Sequence, residues 1–285
     1  DGVIVSVSAG GAAPAGARVW DCTGLHVYPG LIESYKTVEA PTPEAGAPGS
    51  HWVSRVHAQR SALDGAGLSA EARGAMRKDG FVVAQIVPEG GIFMGQSAVV
   101  MLSEPGNGSA GDANDVMRSS VFDCVAFERG GWGADNYPGS LMGSIAVVRQ
   151  TLMDSPWYAR ANEAHRKNPA RHEAPERNDA LMALGEGRAL MFDVDNELDL
   201  MRADKVAREF GREAVLVGCG TEFRRLGAVA KTGRMMILPV TMAEQPKVET
   251  PGDRDSVTLR ELMTWEESPA NVARVRVAGM RVALT

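Results

Sequence analysis

The sequence predicts an α/β protein built on a largely parallel sheet, and three observations carry that reading. First, Phe81-Val82-Val83-Ala84-Gln85-Ile86-Val87 is a near-continuous apolar run ending at Pro88, the pattern of a strand covered on both faces. Second, Ala189 to Val194 is followed by an amphipathic stretch over Asn196–Phe210, a Gly at 211 and a further apolar run at 213–217. Strand, helix, glycine, strand is the signature of a parallel unit with a right-handed crossover. Third, strand candidates recur at 30–36, 81–87, 97–102, 121–127, 188–194, 213–217, 235–240 and 280–285. Such a set fits a (β/α)8 barrel, and an open doubly wound sheet fits the periodicity almost as well.

Taken in order, Val3 to Ser8 is rich in β-branched residues and reads as a strand. Gly10 to Gly16 is a loop, and Arg18-Val19-Trp20 and His26-Val27-Tyr28 read as two more short strands. Three such strands cannot bury a core alone. Pro41 to Ser50 is a loop. His51 and His57 are six apart, which suits neither one helix face nor one strand repeat as a chelate, so a hydrogen-bonding role is expected. Ser69 is placed to cap a helix running to Lys78, with Gly80 closing it. Gly90 to Gln96 reads as a glycine-rich loop without phosphate-cradle spacing, and Pro105 to Asp115 as another loop.

Leu141, Ile145, Val148 and Leu152 recur at helical spacing, in a helix that continues past Pro156 toward His165. Lys167 to Asn178 reads as a solvated linker. Asn196 is a candidate N-cap, with Glu197 and Asp199 complementing the helix N-terminus. Thr221 to Lys231 is the next helix, Arg234 to Val240 the next strand, and 258–265 and 269–277 are helical.

The stretch from Asp21 to Thr37 carries a specific resemblance. Asp21-Cys22-Thr23-Gly24-Leu25-His26-Val27-Tyr28-Pro29-Gly30-Leu31-Ile32-Glu33-Ser34-Tyr35-Lys36-Thr37 is similar to the amidohydrolase superfamily's D-x-x-G-x-x-V-x-P-G-x-I-D-x-H-x-H frame. Gly91-Ile92-Phe93-Met94-Gly95-Gln96-Ser97-Ala98 resembles a run of its imidazolonepropionase-like branch. The resemblance implies a (β/α)8 TIM-like barrel over residues 29–285, complete or cut short at its C-terminus. It also implies a remnant of a small N-terminal β-sandwich over residues 1–28.

The family's chemistry is hydrolysis of non-peptide C–N bonds by metal-bound hydroxide. The resemblance implies zinc, yet at its ligand positions this chain departs. Glu33 stands for the usual Asp, and the two histidines of the first strand fall on Tyr35 and Thr37. The next histidine falls at or near Asp193, and the one after near Gly218 or Cys219. The late Asp falls beyond Thr285. Threonine and a neutral tyrosine are poor zinc ligands, so no metal cofactor is expected. The pocket residues expected are Tyr35, Thr37, Asp193, Cys219 and Glu222. Glu33, Tyr35 and Asp193 are the candidate catalytic groups.

Other chemistry is thin. Gly139-Ser140-Leu141-Met142-Gly143 misses nucleophile-elbow spacing. Asp193, Asp195 and Glu197 could frame an acidic pocket mouth, and Arg224 and Arg225 could grip a carboxylate. A net charge of −6 gives no polybasic footprint for nucleic acid, and no apolar run is long enough to span a bilayer. Cys22, Cys124 and Cys219 are too widely spaced for a zinc knuckle. The chain begins at Asp1 without Met and ends in an apolar run, so a segment of a longer protein is expected and its compartment is unreadable.

Three functions stay open. The first is a metal-free scaffold half of a larger hydrolase, partnered by a second amidohydrolase module or a further copy of itself. The second is an active hydrolase with an altered site. The third is a small-molecule-binding protein on a barrel scaffold.

Overall fold

The computed structural model describes residues 4–103, 115–130 and 137–285, and the chain divides into two units, Asp1–Gly30 and Leu31–Thr285. Over residues 4–30 the expected strands do not form. This segment is exposed throughout, with Val5 at 95% and Val27 at 81% of their full accessibility. Short apolar segments without a sheet partner leave their backbone groups to water. Local turns remain: Thr23 donates its N–H to Asp21 Oδ1 at 3.0 Å, and Arg18 lies 4.4 Å over the Trp20 ring.

The second unit opens with β1 (Leu31–Val38), α1 (Ala70–Lys78), β2 (Phe81–Pro88), β3 (Phe93–Gln96), β4 (Ala98–Met101), β5 (Val116–Arg118) and β6 (Phe122–Ala126). It continues through α2 (Leu141–Lys167), α3 (Asp179–Leu184), β7 (Ala189–Asp193), α4 (Glu197–Glu209), β8 (Ala214–Val217), α5 (Leu226–Ala230) and β9 (Met235–Leu238). It closes with α6 (Pro251–Ser256), α7 (Leu259–Glu267), α8 (Asn271–Val277) and β10 (Val282–Leu284).

Caps fall where the residue types direct them. Ser69 accepts from Ala72 N at 3.1 Å, Ser140 from Gly143 N at 3.1 Å, and Asn196 from both Leu198 N and Asp199 N at 3.0 Å. Ser140 is thus a helix cap and not a nucleophile on an elbow. The helix α2 runs unbroken through Pro156.

All eight expected strand positions carry strands, and β3 and β5 are additional. The β3 stretch reads as a loop because of Gly95, whose φ is +125°. The glycine is required there. A Cβ would sit 2.6 Å from the Arg60 carbonyl oxygen, where the 56–61 segment runs alongside in parallel bridges Val56↔Phe93 and Ser61↔Gln96.

Among the described residues the strands do not make one closed hydrogen-bonded ring. They form a four-stranded sheet, β1-β2-β4-β5, and a six-stranded sheet, β10-β9-β8-β7-β6-β3. The pairs β1–β2 and β6–β7–β8–β9–β10 are parallel, as expected. The ladder is diverted because the chain between β2 and β6 is an antiparallel insertion. It pairs with β6 as β3, switches sheets at Ser97, and pairs with β2 as β4. At the second seam Thr285 Oγ1 reaches the Tyr35 carbonyl at 2.9 Å and the Glu33 carboxyl, without a ladder.

Both sheets nevertheless share one interior. Tyr35, Val87, Met94, Cys124, Met191, Val217, Ile237 and Ala283, one from each of β1, β2, β3 and β6–β10, meet in a single cluster. Their strand neighbours Val125, Leu190, Phe192, Leu216, Met236 and Leu238 face the other way and pack with Val148, Leu200, Ala203 and Val275 of the covering helices. This alternation is the period of two that separates the faces of a strand. Each fully buried Leu or Phe on the outer layer contributes about 1.5–3 kcal/mol.

Gly95→Ala should lower stability by at least about 1–3 kcal/mol from the backbone alone, read as a fall in the urea midpoint. An unchanged midpoint would show that the 56–61 segment yields without cost.

Candidate functional site

The alternation that builds the interior also aims the rim. Met191 points inward, so Asp193, one pleat on at the C-terminal end of β7, is directed inward too. On β1 the same face carries Tyr35, and its phenol donates to Asp193 Oδ2 at 2.7 Å across 158 residues of sequence.

Both groups stay protonated more readily than in water. Burial raises the Tyr35 pKa, and the facing Asp193 raises it further. Burial also raises Asp193, more than the Tyr35 hydrogen bond lowers it, with Asp195 adding a push upward. Glu33 is committed to the seam, accepting from Tyr35 N at 2.9 Å and lying against Thr285 Oγ1.

The remaining expected pocket residues do not gather on this pair. Thr37 is exposed and lines a separate cavity of about 650 Å3 with Lys36, Glu39, Leu68, Ser69 and Glu89. Cys219 and Glu222 lie beyond the end of β8, whose Val217 is in register with Asp193. There Glu222, fully buried, accepts from Cys219 N at 2.7 Å and from Asn271 Nδ2 at 2.6 Å. Gly218 makes room for that carboxyl, since a Cβ would come within 2.4 Å of Glu222 Oε1.

The Cys219 thiol sits 2.9 Å from Thr221 Oγ1, and burial with the neighbouring Glu222 pushes it up to about 12. Thr221 in turn donates to Glu197 at 3.0 Å, and Arg224 lies 3.7 Å from Glu197. Glu197 and Arg224 therefore serve each other. Arg225 is exposed, so a carboxylate grip by Arg224 and Arg225 together is not assembled. Asp195 is exposed and Glu197 buried at the start of α4, so the two do not frame one acidic mouth with Asp193.

Sequence reasoning missed Asn271 and Thr221, which complete the Glu222 network. No local pattern flags a buried Asn at a helix start. It also missed the seam role of Thr285, although a hydroxyl ending a strand opposite Glu33 was a usable sign.

The chain shares its fold with a crystallised amidohydrolase from Thermotoga maritima MSB8. The TM-score is 0.68 at 18% sequence identity, covering 98% of this chain and 70% of the other. The likeness is one of fold. No family model matches the sequence, and no curated protein does. Among the described residues no helix is long and apolar enough to cross a membrane.

The donor chemistry at the rim can be tested against the zinc that the resemblance implies. Among the described residues no three His, Cys, Asp or Glu side chains are grouped to hold a metal ion. Tyr35 is a phenol bonded to Asp193, Thr37 faces elsewhere, and Cys219 is a thiol. A zinc site needs deprotonated or neutral-nitrogen donors converging on one point, and these residues do not fit it.

His51 and His57 lie elsewhere on the loops. His51 Nδ1 accepts from Val53 N at 3.0 Å, the hydrogen-bonding role expected of it. His57 lines a cavity of about 300 Å3 with Arg55, Arg60 and Gly91, and burial, then Arg60 and Arg55, lower its pKa to about 4.

Two outcomes follow. Glu222→Ala leaves the Cys219 N–H and the Asn271 amide without their acceptor and should cost about 2–5 kcal/mol in chemical denaturation. A loss near zero would mean that water replaces the carboxyl. For His57, the folded form gives up its proton more readily than the unfolded chain. Its contribution is therefore present above the ordinary value of 6.5 and is lost as the pH falls from 6.5 toward about 4. His57→Gln should flatten the stability profile in that window, and a profile matching the parent's would remove His57 as the cause.

Proposed function

We propose that the chain is an amidohydrolase-like module of the imidazolonepropionase-like type, on an incomplete (β/α)8 barrel plan, whose metal centre has been replaced. Its role is that of a scaffold or partner-binding half of a larger hydrolase acting on non-peptide C–N bonds. Support for the plan comes from the shared fold, the parallel run β6–β10 and the interior drawn from both sheets. The Pro29-Gly30-Leu31-Ile32 frame leading into β1 supports the same reading.

One observation carries the loss of the centre: the Tyr35 phenol reaches Asp193 where the resemblance would converge ligands on an ion. A neutral phenol bonded to a carboxyl gives a metal no open lone-pair cluster, and the ring joins the interior packing. The partner would be a second amidohydrolase module or another copy of this chain.

An active hydrolase with an altered site is the second reading, favoured by the upward shift of Asp193. A buried carboxyl of that kind can act as a general acid or base at neutral pH. Its defect is geometric: Asp193 is already engaged by Tyr35, and Glu33 by the β1–β10 seam.

Metal analysis of protein purified and dialysed in zinc-containing buffer tests the proposal. Zinc should be far below one equivalent, and Asp193→Asn should leave that content unchanged. About one equivalent of zinc, lost on Asp193→Asn, would overturn the replaced-centre reading.

A further inference from the structure

The other end of the large sheet holds a cavity that plays no part in the rim. It has a volume of about 380 Å3 and lies at the start of β7, β8 and β9, lined among others by Arg208, Arg234, Arg281, Glu213 and Thr232. That size falls in the range of small-molecule sites.

Its charge is unbalanced. Arg208 and Arg234 share one carboxylate: Arg208 Nε donates to Asp204 Oδ2 and Arg234 Nε to Asp204 Oδ1, each at 2.8 Å. Arg208 Nη2 also donates to the Thr232 carbonyl at 2.6 Å. Both guanidinium groups are thereby held in place before any ligand arrives. The second acid, Glu213, lies 3.6 Å from Arg234 Nη1 with its side chain 92% exposed, so water screens most of its charge. Arg281 makes no ion pair or side-chain hydrogen bond among the described residues, yet it lines the same cavity.

Three arginines thus line one space, Arg208 and Arg281 exposed and Arg234 largely buried, with Asp204 the one buried acid beside them. Arg281 is exposed and adds a third guanidinium to this lining without an acid of its own among the described residues. Arginine forks present paired donors that fit the oxygens of a phosphoryl group. We propose that this cavity binds phosphate, free or as the phosphoryl group of a small metabolite, through Arg208, Arg234 and Arg281. The site is independent of the replaced centre at the rim and stands or falls separately from it.

Calorimetric titration of the full chain with inorganic phosphate, and separately with phenyl phosphate, tests this at constant ionic strength set with chloride. Saturable one-site binding is expected. Phenyl phosphate binding more tightly would mark an ester site, and exclusion of phenyl phosphate would mark a free-anion site. Arg281→Ala should weaken binding about tenfold while the thermal midpoint of the unliganded protein stays put, because Arg281 holds no partner. Glu213→Gln should tighten binding about two- to threefold, which a structural role alone would not produce. Absence of saturable binding by either probe, or equal affinity in Arg281→Ala and the parent, would overturn the site.

Discussion

The hydrogen bond from the Tyr35 phenol to Asp193 is the constraint around which the rim is organised. It joins the first strand of one sheet to the central strands of the other, at a place where no ladder crosses. The ring also fills volume, so it acts as a core residue and a polar clamp together. Because both partners are desolvated, a proton stays on the phenol, and the bond is that of a neutral donor to a buried carboxyl. Removing either side would leave the other polar group stranded, which is the expensive case for a buried pair.

That clamp explains why the neighbouring polar groups do not converge. With Asp193 engaged and Glu33 held at the β1–β10 seam, the loop after β8 satisfies its own groups through Glu222, Cys219, Thr221 and Glu197. Around the end of β8 the buried polar groups are thus paired by the adjacent loop and by α8. The result is two closed networks, one at Tyr35–Asp193 and one at Glu222–Asn271. A catalytic metal site needs the opposite, several donors left pointing at a shared vacancy.

Strands and caps were legible in the sequence because they follow from local chemistry. The apolar runs at Phe81–Val87 and Ala189–Val194 both form strands, although the first is not covered on both faces as expected, with Val82 49% exposed, and Ser69, Ser140 and Asn196 sit where orphan helix N–H groups need acceptors. The pairing of Tyr35 with Asp193 was legible only as two positions at strand ends, since no local rule says which strands close on each other. The two-sheet arrangement was hidden for a different reason. Gly95 reads as a loop residue, whereas its positive φ and the nearby Arg60 carbonyl keep it inside β3, just before the chain changes sheets at Ser97. Thr37 was misplaced because the family frame carries a side-chain direction along with a position. Here β1 has a register irregularity in its middle, between Glu33 and Lys36, and a slipped residue changes the face it serves.

The distribution of charge sharpens the contrast between the two ends of the sheet. The chain carries a net −6, with 30 basic and 36 acidic side chains, so local pairing and not the total sets the charge at each end. At the strand N-termini each buried acid is bracketed by two arginines, Asp123 by Arg188 and Arg212, and Asp204 by Arg208 and Arg234. In each trio one arginine also meets an exposed acid, Arg188 with Glu186 and Arg234 with Glu213, pairs that water screens. Burial holds the Asp123 carboxyl above its ordinary range, against the lowering by Arg188 and Arg212. Of these four arginines, Arg208 and Arg234 line the open cavity at this end of the sheet, whereas at the opposite rim Tyr35 and Asp193 are committed to each other.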